Sequence, residues 1–411
     1  MTKRGQRETL TPKAAALRVV DRLEKAGHEA LFAGGCVRDT VLGREPKDYD
    51  IATDATPDEV TGLFRRSAQV GARFGVVVVR MAQLQVEVAT FRTDGSYADG
   101  RRPESVTFST PKEDALRRDF TINGMFQRPA TGEIIDFVGG QADARAGLVR
   151  AIGDPLVRFG EDHLRMLRAV RFATRLGFEI EERTFAAIRD EADSIRTIST
   201  ERIRMELEQI LADPHRARGW RLLRETGLVN LLVGGLSWRA SEADAVALRL
   251  DALGESVAAE TALAVLLIDR SVRDVRALMA RFTFSRHSVQ RVCWLLESLA
   301  LLMGTRDLEL ADVKTLRAHG GLDELVALHR SELTARGLDV SAADAFACRA
   351  AAIAEESVAP APFVTGDDLQ AMGMRPGRRM GEVLDALYRG QLNEEILNEA
   401  EAFARAREMS N

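Results

Sequence analysis

Leu31-Phe-Ala-Gly-Gly-Cys-Val-Arg-Asp-Thr-Val-Leu-Gly43, followed at once by Asp48-Tyr-Asp50, decides the fold of this chain. An apolar run enters the pair Gly34 and Gly35, a helix-like segment with Arg38 and Asp39 follows, and two acids then lead into Ile51-Ala-Thr53. Glycine removes the side chains that keep backbone N–H groups away from a polyphosphate, and a helix N-terminus there adds positive potential. If the second run is a strand, its two-residue period sends Asp48 and Asp50 to one face. Carboxylates so placed can share hard cations such as Mg2+, which keep several waters and complete their shell with substrate phosphates. The pattern reads as a nucleotide cradle beside a metal-binding edge, and it points to phosphoryl or nucleotidyl transfer.

Taken singly, a Gly-Gly pair is a turn, Asp-x-Asp is solvated loop acid, and Arg38 with Asp39 is an ion pair on a helix surface. Two further motifs follow in order, Arg117-Arg-Asp-Phe-Thr-Ile-Asn123 and Glu161-Asp-His-Leu-Arg-Met-Leu-Arg168. Together the motifs, spanning roughly residues 31 to 172, resemble the active-site signature of the polymerase-beta-like nucleotidyltransferases. Within that superfamily they match the class II branch, the CCA-adding tRNA nucleotidyltransferases and bacterial poly(A) polymerases. The resemblance implies that Gly35, Arg38 and Arg118 contact the incoming nucleotide, with Gly34, Asp119 and Asn123 in support. The segment holding Arg118 opens with Glu113 and Asp114 and looks helical. Asp119 and Asn123 would then share one face and hold the triphosphate or the ribose, unless they serve as a cap or a salt bridge. Asp48 and Asp50 are the expected catalytic metal ligands, with Mg2+ as the cofactor in a two-metal displacement. Glu87 is a candidate third carboxylate, although an exposed strand glutamate explains it equally well.

Asp162 and Arg165 carry the base-selection argument. Cytosine and adenine both present an amino donor beside a ring-nitrogen acceptor, whereas uracil and guanine present a carbonyl beside an N–H. A carboxylate and a guanidinium at i and i+3 of one helix form an edge that pairs with C or A and strands its polar groups against U or G. Arg168 and Arg171 continue the spacing, each step turning about 60° around a helix. Both are candidate nucleotide contacts: Arg168 is expected to reach a phosphate or orient Asp162, and Arg171, turned nearly opposite Asp162, has tying the helix to the head as its alternative. An arginine-rich helix face is the plain alternative for the whole segment.

The 411 residues suit two to four domains, and 45% hydrophobic with 29% charged residues describes an ordinary globular protein. A net charge of −5 does not advertise a nucleic-acid binder, so RNA contact must come from local arginine clusters. Cys36, Cys293 and Cys348 have neither disulfide nor metal-ligand spacing. No apolar signal core follows the basic Met1-Thr-Lys-Arg-Gly-Gln-Arg7, and no run approaches bilayer length. These features predict a cytoplasmic protein with no membrane attachment, and none calls for an obligate protein partner.

Thr11-Pro12 opens a helix expected to run to about Gly27, and Thr56-Pro57 opens another. Strand-like runs near 28–33, 48–53, 75–81 and 85–91 complete an α/β (α+β) nucleotidyltransferase head with a mixed sheet. Beyond residue 161 strand signals almost vanish. The expected division is a catalytic head over 1–145, a helical neck with the nucleobase-selecting helix over 146–218, a helical body over 219–354 and a tRNA-binding helical tail over 363–411. Thr93 to Ser105 reads as a mobile loop, which the resemblance links to the change from CTP to ATP. Glu355 to Pro362 reads as a linker, and Met374-Arg-Pro-Gly-Arg-Arg-Met380 sets basic side chains at a helix start.

The expectation is a tRNA nucleotidyltransferase that builds or repairs the 3′-terminal CCA from CTP and ATP without a nucleic-acid template. A dedicated A-adding enzyme, a poly(A) polymerase and a catalytically silent RNA-binding protein are the alternatives. Against the poly(A) polymerase stand Gly71-Ala-Arg-Phe-Gly-Val-Val77, which resembles the CCA-adding form, and the lack of a strongly basic C-terminal extension.

Overall fold

A computed structural model describes residues 10–69, 75–95, 106–229, 238–304 and 307–410. Contacts within it divide the chain into two compact units, Met1–Ser237 and Trp238–Asn411.

In the first unit α1 (Pro12–Lys25) starts where Thr11 Oγ1 accepts from Ala14 N at 3.2 Å and Pro12 takes the first helical position. Its Ala15, Ala16, Val19, Val20 and Leu23 recur at helical spacing and are buried against the sheet. Strand β1 (Ala30–Ala33) leads through Gly34 into α2 (Gly35–Val41), and β2 (Asp50–Thr53) returns beside it. After α3 (Pro57–Leu63), begun by a Thr56 and Glu59 capping box, come β3 (Ser67–Gln69), β4 (Val76–Met81) and β5 (Leu84–Thr90). Strands β6 (Arg92–Asp94) and β7 (Val106–Phe108) pair as an antiparallel stem before α4 (Pro111–Leu116). Most of the expected Thr93 to Ser105 loop, residues 96–105, and residues 71–74 of the glycine-rich strand entry lie outside the described residues. A 3-10 turn (Thr121–Asn123), β8 (Met125–Gln127), β9 (Ile134–Asp136) and α5 (Gly140–Ala146) complete the head.

The seven-stranded sheet runs β3-β4-β5-β2-β1-β8-β9. Strands β2 and β5 are parallel and the other neighbours antiparallel, so the head has the expected mixed sheet. Ala33 pairs with Asp50 across β1 and β2, which places the start of the acidic edge beside the entrance to the Gly34 turn.

Among the described residues only a short parallel ladder follows, β10 (Leu148–Val149) with β11 (Glu179–Ile180). Around it lie α6 (Pro155–Glu161), α7 (Leu164–Leu176), α8 (Glu182–Glu191), α9 (Thr200–Ala212) and α10 (Arg216–Glu225). Helix α7 packs against α9 and α10, and Gly219 allows the approach, since a β-carbon there would stand 2.9 Å from Thr174 Oγ1.

The described elements of the second unit are helices. Val364, Leu369, Met380, Val383, Leu387 and Ile396 form its C-terminal core. The stretch expected to be a linker is instead held down. Glu355–Val358 is a helical turn, Tyr388 Oη donates to Pro360 O at 3.0 Å, and Gln391 Nε2 donates to Ala361 O at 2.8 Å. Its prolines halt helix without freeing the chain, because side chains of the helix Arg378–Leu392 satisfy its carbonyls. Among the described residues no helix is long and apolar enough to cross a membrane.

Gly140 sets how closely α5 approaches the Thr121–Asn123 turn. A β-carbon there would overlap Thr121 O and stand 2.8 Å from Met125 Cγ. Gly140→Ala should therefore destabilise the protein by about 1–3 kcal/mol, the usual cost of overpacking. Chemical denaturation would measure it, and an unchanged midpoint would show that the turn yields freely.

Candidate active site

The acidic edge follows from strand geometry. Tyr49 is buried between exposed Asp48 and Asp50, so the two carboxylates share the solvent face although only Asp50 lies within β2. Although its residue surface is exposed, the Asp50 carboxyl is crowded by neighbouring atoms, and this desolvation, reinforced by Glu87 and Asp48, pushes it up to about 6 against the opposing pull of Arg118. Such a surplus of negative charge favours a cation, so the residues present fit a hard divalent metal. Among the described residues no group of three His, Cys, Asp or Glu side chains could hold a metal ion. The two aspartates would therefore rely on water and substrate oxygens to complete the shell. Glu87 is exposed on β5 and acts on Asp50 through its charge.

Gly34 adopts φ 71°, a conformation that disfavours a β-carbon, and one added there would stand 3.2 Å from Arg118 Nη1. Arg118 can thus lie along the turn, donating to Asn123 O at 3.2 Å. Its other face is fixed by Asp114, whose Oδ2 accepts from Arg118 Nε and Nη2 at 3.0 and 2.9 Å. Arg117 takes the other oxygen of Asp114 at 2.9 and 2.6 Å and also donates to Arg92 O in β6. Burial would raise the Asp114 carboxyl, but Arg118 and Arg117 outweigh it and hold it below the ordinary range.

The helix expected through Asp119 and Asn123 is absent. Helix α4 ends at Leu116, Phe120 is extended at φ −128° and ψ 148°, and a 3-10 turn carries Asn123. The two side chains still meet, Asn123 Nδ2 donating to Asp119 Oδ1 at 3.3 Å, because the turn folds back on itself. Asp119 also accepts from Phe120 N at 2.8 Å and from Arg168 Nε and Nη2 at 2.9 and 2.7 Å. Burial opposes its charge, yet Arg168 prevails and lowers its pKa. Asp119 therefore braces α7, which is the salt bridge that the sequence offered as the alternative to holding the triphosphate or the ribose. Asn123 Oδ1 accepts from Arg38 Nη1 at 2.9 Å, and Asp39 takes the remaining edge of Arg38. The Arg38–Asp39 ion pair exists, but Arg38 is buried.

The segment expected to select the base differs in detail from the expected continuous helix. Helix α6 stops at Glu161, and Asp162 is extended at φ −150° and ψ 104°. Its Oδ1 accepts from Leu164 N at 3.1 Å, an Asx-type turn two residues ahead that leads the chain into α7. Arg165 does not pair with Asp162. It donates to Arg158 O at 2.9 Å and bonds Glu161, while Arg202 of α9 donates to Asp162 Oδ2 at 2.8 Å and Oδ1 at 3.3 Å. Arg168 meets Asp119 rather than Asp162, since that buried carboxylate lies within its reach. Arg171 ties α7 to α9 through Glu206 at 2.6 Å rather than to the head.

These elements enclose a cleft of about 530 Å³ lined by Gly34, Gly35, Arg38, Arg117, Arg118, Asp119, Asn123, Asp162, Leu164, Arg165, Arg168, Phe172, Arg175 and Arg202. Asp48, Asp50 and Arg171 are not among its lining, although Asp50 feels the charge of Arg118. Arg117, Phe172, Arg175 and Arg202 were not singled out as site residues in the sequence. Phe172 carries the guanidinium carbons of Arg38, Arg168 and Arg171 at 5.6, 5.3 and 4.4 Å from its ring centre, a cation–π cluster. No local signal separates Phe172 from ordinary core, whereas Asp162 before an apolar-periodic run is a recognisable helix start.

Residues 30–150 match the Poly A polymerase head domain, and residues 177–237 match the probable RNA and SrmB- binding site of polymerase A. A CCA-adding enzyme of Geobacillus thermodenitrificans is 48% identical over 54% of this chain and 55% of its own length. One from Lactiplantibacillus plantarum is 47% identical over 52% of this chain and 53% of its own. The chain thus spans about half the length of the curated relatives it matches. The crystal structure of the Bacillus stearothermophilus CCA-adding enzyme in complex with CTP superposes with a TM-score of 0.81 at 32% identity, covering 97% of this chain and 98% of that one. A likeness at that identity along nearly the whole of both chains places this protein in the CCA-adding enzyme family.

Proposed function

We propose that this chain adds and repairs the 3′-terminal CCA of tRNA, taking CTP and ATP, without a nucleic-acid template and with release of pyrophosphate. The observation that carries the reading is a single cleft in which Asp162 and Arg165, an acceptor and a donor, lie with Arg38, Arg118 and the Gly34–Gly35 turn. Mg2+, held by Asp48 and Asp50, would supply an activated 3′-hydroxyl and neutralise charge on the phosphates. Arg38 and Arg118 bind the triphosphate and fix its in-line direction. The attacking 3′-oxygen forms a bond to the α-phosphorus as the bond to pyrophosphate breaks. Arg165 must exchange its bonds to Glu161 and Arg158 O for the ring nitrogen of the base, while Asp162 accepts from the exocyclic amino group. Residues 1–145 act as head, 146–218 as neck, 219–354 as body and 363–411 as a tail in which Arg375, Arg378 and Arg379 approach tRNA phosphates. Incubation with tRNA lacking one, two or all three terminal nucleotides, with each nucleoside triphosphate separately, tests the reading. Failure to add C to the shortest substrate would favour an A-adding enzyme.

Asp48→Ala and Asp50→Ala should each abolish nucleotide transfer with tRNA binding retained, because charge stabilisation belongs to the transition state. Substantial turnover by either variant would remove the metal assignment.

Without divalent cation the folded protein holds the Asp50 proton more tightly than the unfolded chain does. Ionising it opposes folding, so this contribution to stability is lost as pH rises from the ordinary 3.8 through about 6. Asp50→Asn should abolish transfer yet raise the melting temperature at neutral pH in chelator. A variant whose melting temperature follows the wild-type pH profile would contradict that origin.

Asp162→Ala should raise UTP or GTP use relative to CTP and ATP, since the acceptor for the amino group is gone while the acidic edge survives. Lost activity at unchanged selectivity would make Asp162 structural.

A further inference from the structure

Asp162 leaves the helix that the sequence suggested would hold it, and an aspartate at an extended corner has rotamers to spare. Arg202, forty residues later on α9, removes that freedom. Its fork bonds both carboxylate oxygens, Nη2 to Oδ2 at 2.8 Å and Nη1 to Oδ1 at 3.3 Å, and both side chains line the cleft. Each carboxylate oxygen has two acceptor positions. Oδ1 is filled by Leu164 N and Arg202 Nη1, whereas Oδ2 takes Arg202 Nη2 and keeps one position. The contact therefore leaves one acceptor open, in a direction set by a guanidinium outside the base-reading segment.

We propose that Arg202 is a positioning residue for base selection, presenting the open acceptor of Asp162 to the amino group of cytosine or adenine and keeping it from turning away when uracil or guanine presents a carbonyl. The inference rests on the function proposed above. An acceptor free to rotate escapes the wrong base at little cost, but an acceptor clamped in place is left facing a carbonyl, which is what makes a polar site discriminate. Planarity matters as well as charge, because lysine is a point charge that cannot hold two oxygens in one plane.

The experiment compares kcat/KM for CTP, ATP, UTP and GTP on full-length protein with a tRNA acceptor. R202M should raise use of UTP relative to CTP by about tenfold, the scale of one oriented hydrogen bond. It should also raise KM for CTP and ATP more than it lowers kcat, and R202K should fall between R202M and wild type. In the double variant D162A/R202M the selectivity should equal that of D162A alone, because Arg202 acts through Asp162. Wild-type selectivity in R202M would overturn the inference, and so would additive effects in the double variant, which would mean that Arg202 touches the nucleotide itself. Should R202M lose its fold, R202K decides alone, and an unshifted ratio there overturns the proposal. A wild type that does not prefer CTP and ATP removes the underlying function and this inference with it. A selective wild type with unshifted variants removes only the inference.

Discussion

The site depends on the contact between the buried carboxylate of Asp119 and the guanidinium of Arg168. Asp119 belongs to the turn that follows α4, and Arg168 belongs to α7, so one ion pair joins the Gly34–Arg118 side of the cleft to the helix on its other side. Its remaining partners extend the join. Asn123 connects Asp119 to Arg38, and Phe120, whose N–H also bonds Asp119, meets Phe172 with ring centres 5.8 Å apart. Removing the cation would leave a carboxylate out of water without its counter-charge, a loss of about 3–5 kcal/mol by the usual behaviour of buried pairs. The relative placement of the two sides of the cleft is therefore set by an electrostatic requirement as much as by packing.

The cleft and the acidic edge carry opposite signs of net charge. The cleft wall is dominated by guanidinium groups, and the acidic edge is crowded enough that Asp50 holds its proton above the ordinary range. Each would be destabilising alone, through repulsion among like charges. On the function proposed above, a nucleoside triphosphate with its metal would supply anions to the first and cations to the second. Complementarity of this kind spends folding stability to prepare the site for substrate, and the ion pairs of Asp114 and Asp119 offset part of the cost.

Much of the head was legible in the sequence because its determinants are local. The two-residue alternation across Tyr49 and the threonine-proline helix starts at Thr11 and Thr56 fix conformation within a few residues. The two misread helices share a cause. Around Asp119 and Asp162 the residue spacing is compatible with helix, yet side-chain oxygens bond nearby backbone N–H groups and stabilise a break. Neither break is marked by proline. Arg202 and Glu206 were invisible for a different reason, since their partners Asp162, Arg168 and Arg171 lie in α7 or just before it and only tertiary packing brings α9 against them.

Only 6 of the 57 basic residues are lysine, and among the described residues the cleft is lined by arginine without a single lysine. A guanidinium does not lose its proton in proteins. The positive wall of the cleft consequently has no alkaline limit of its own, and changes of activity at high pH must originate in the substrate or elsewhere in the protein. The same choice of residue shields the cleft wall from acetylation and other acylating reagents, which act on the amines that the described lining lacks.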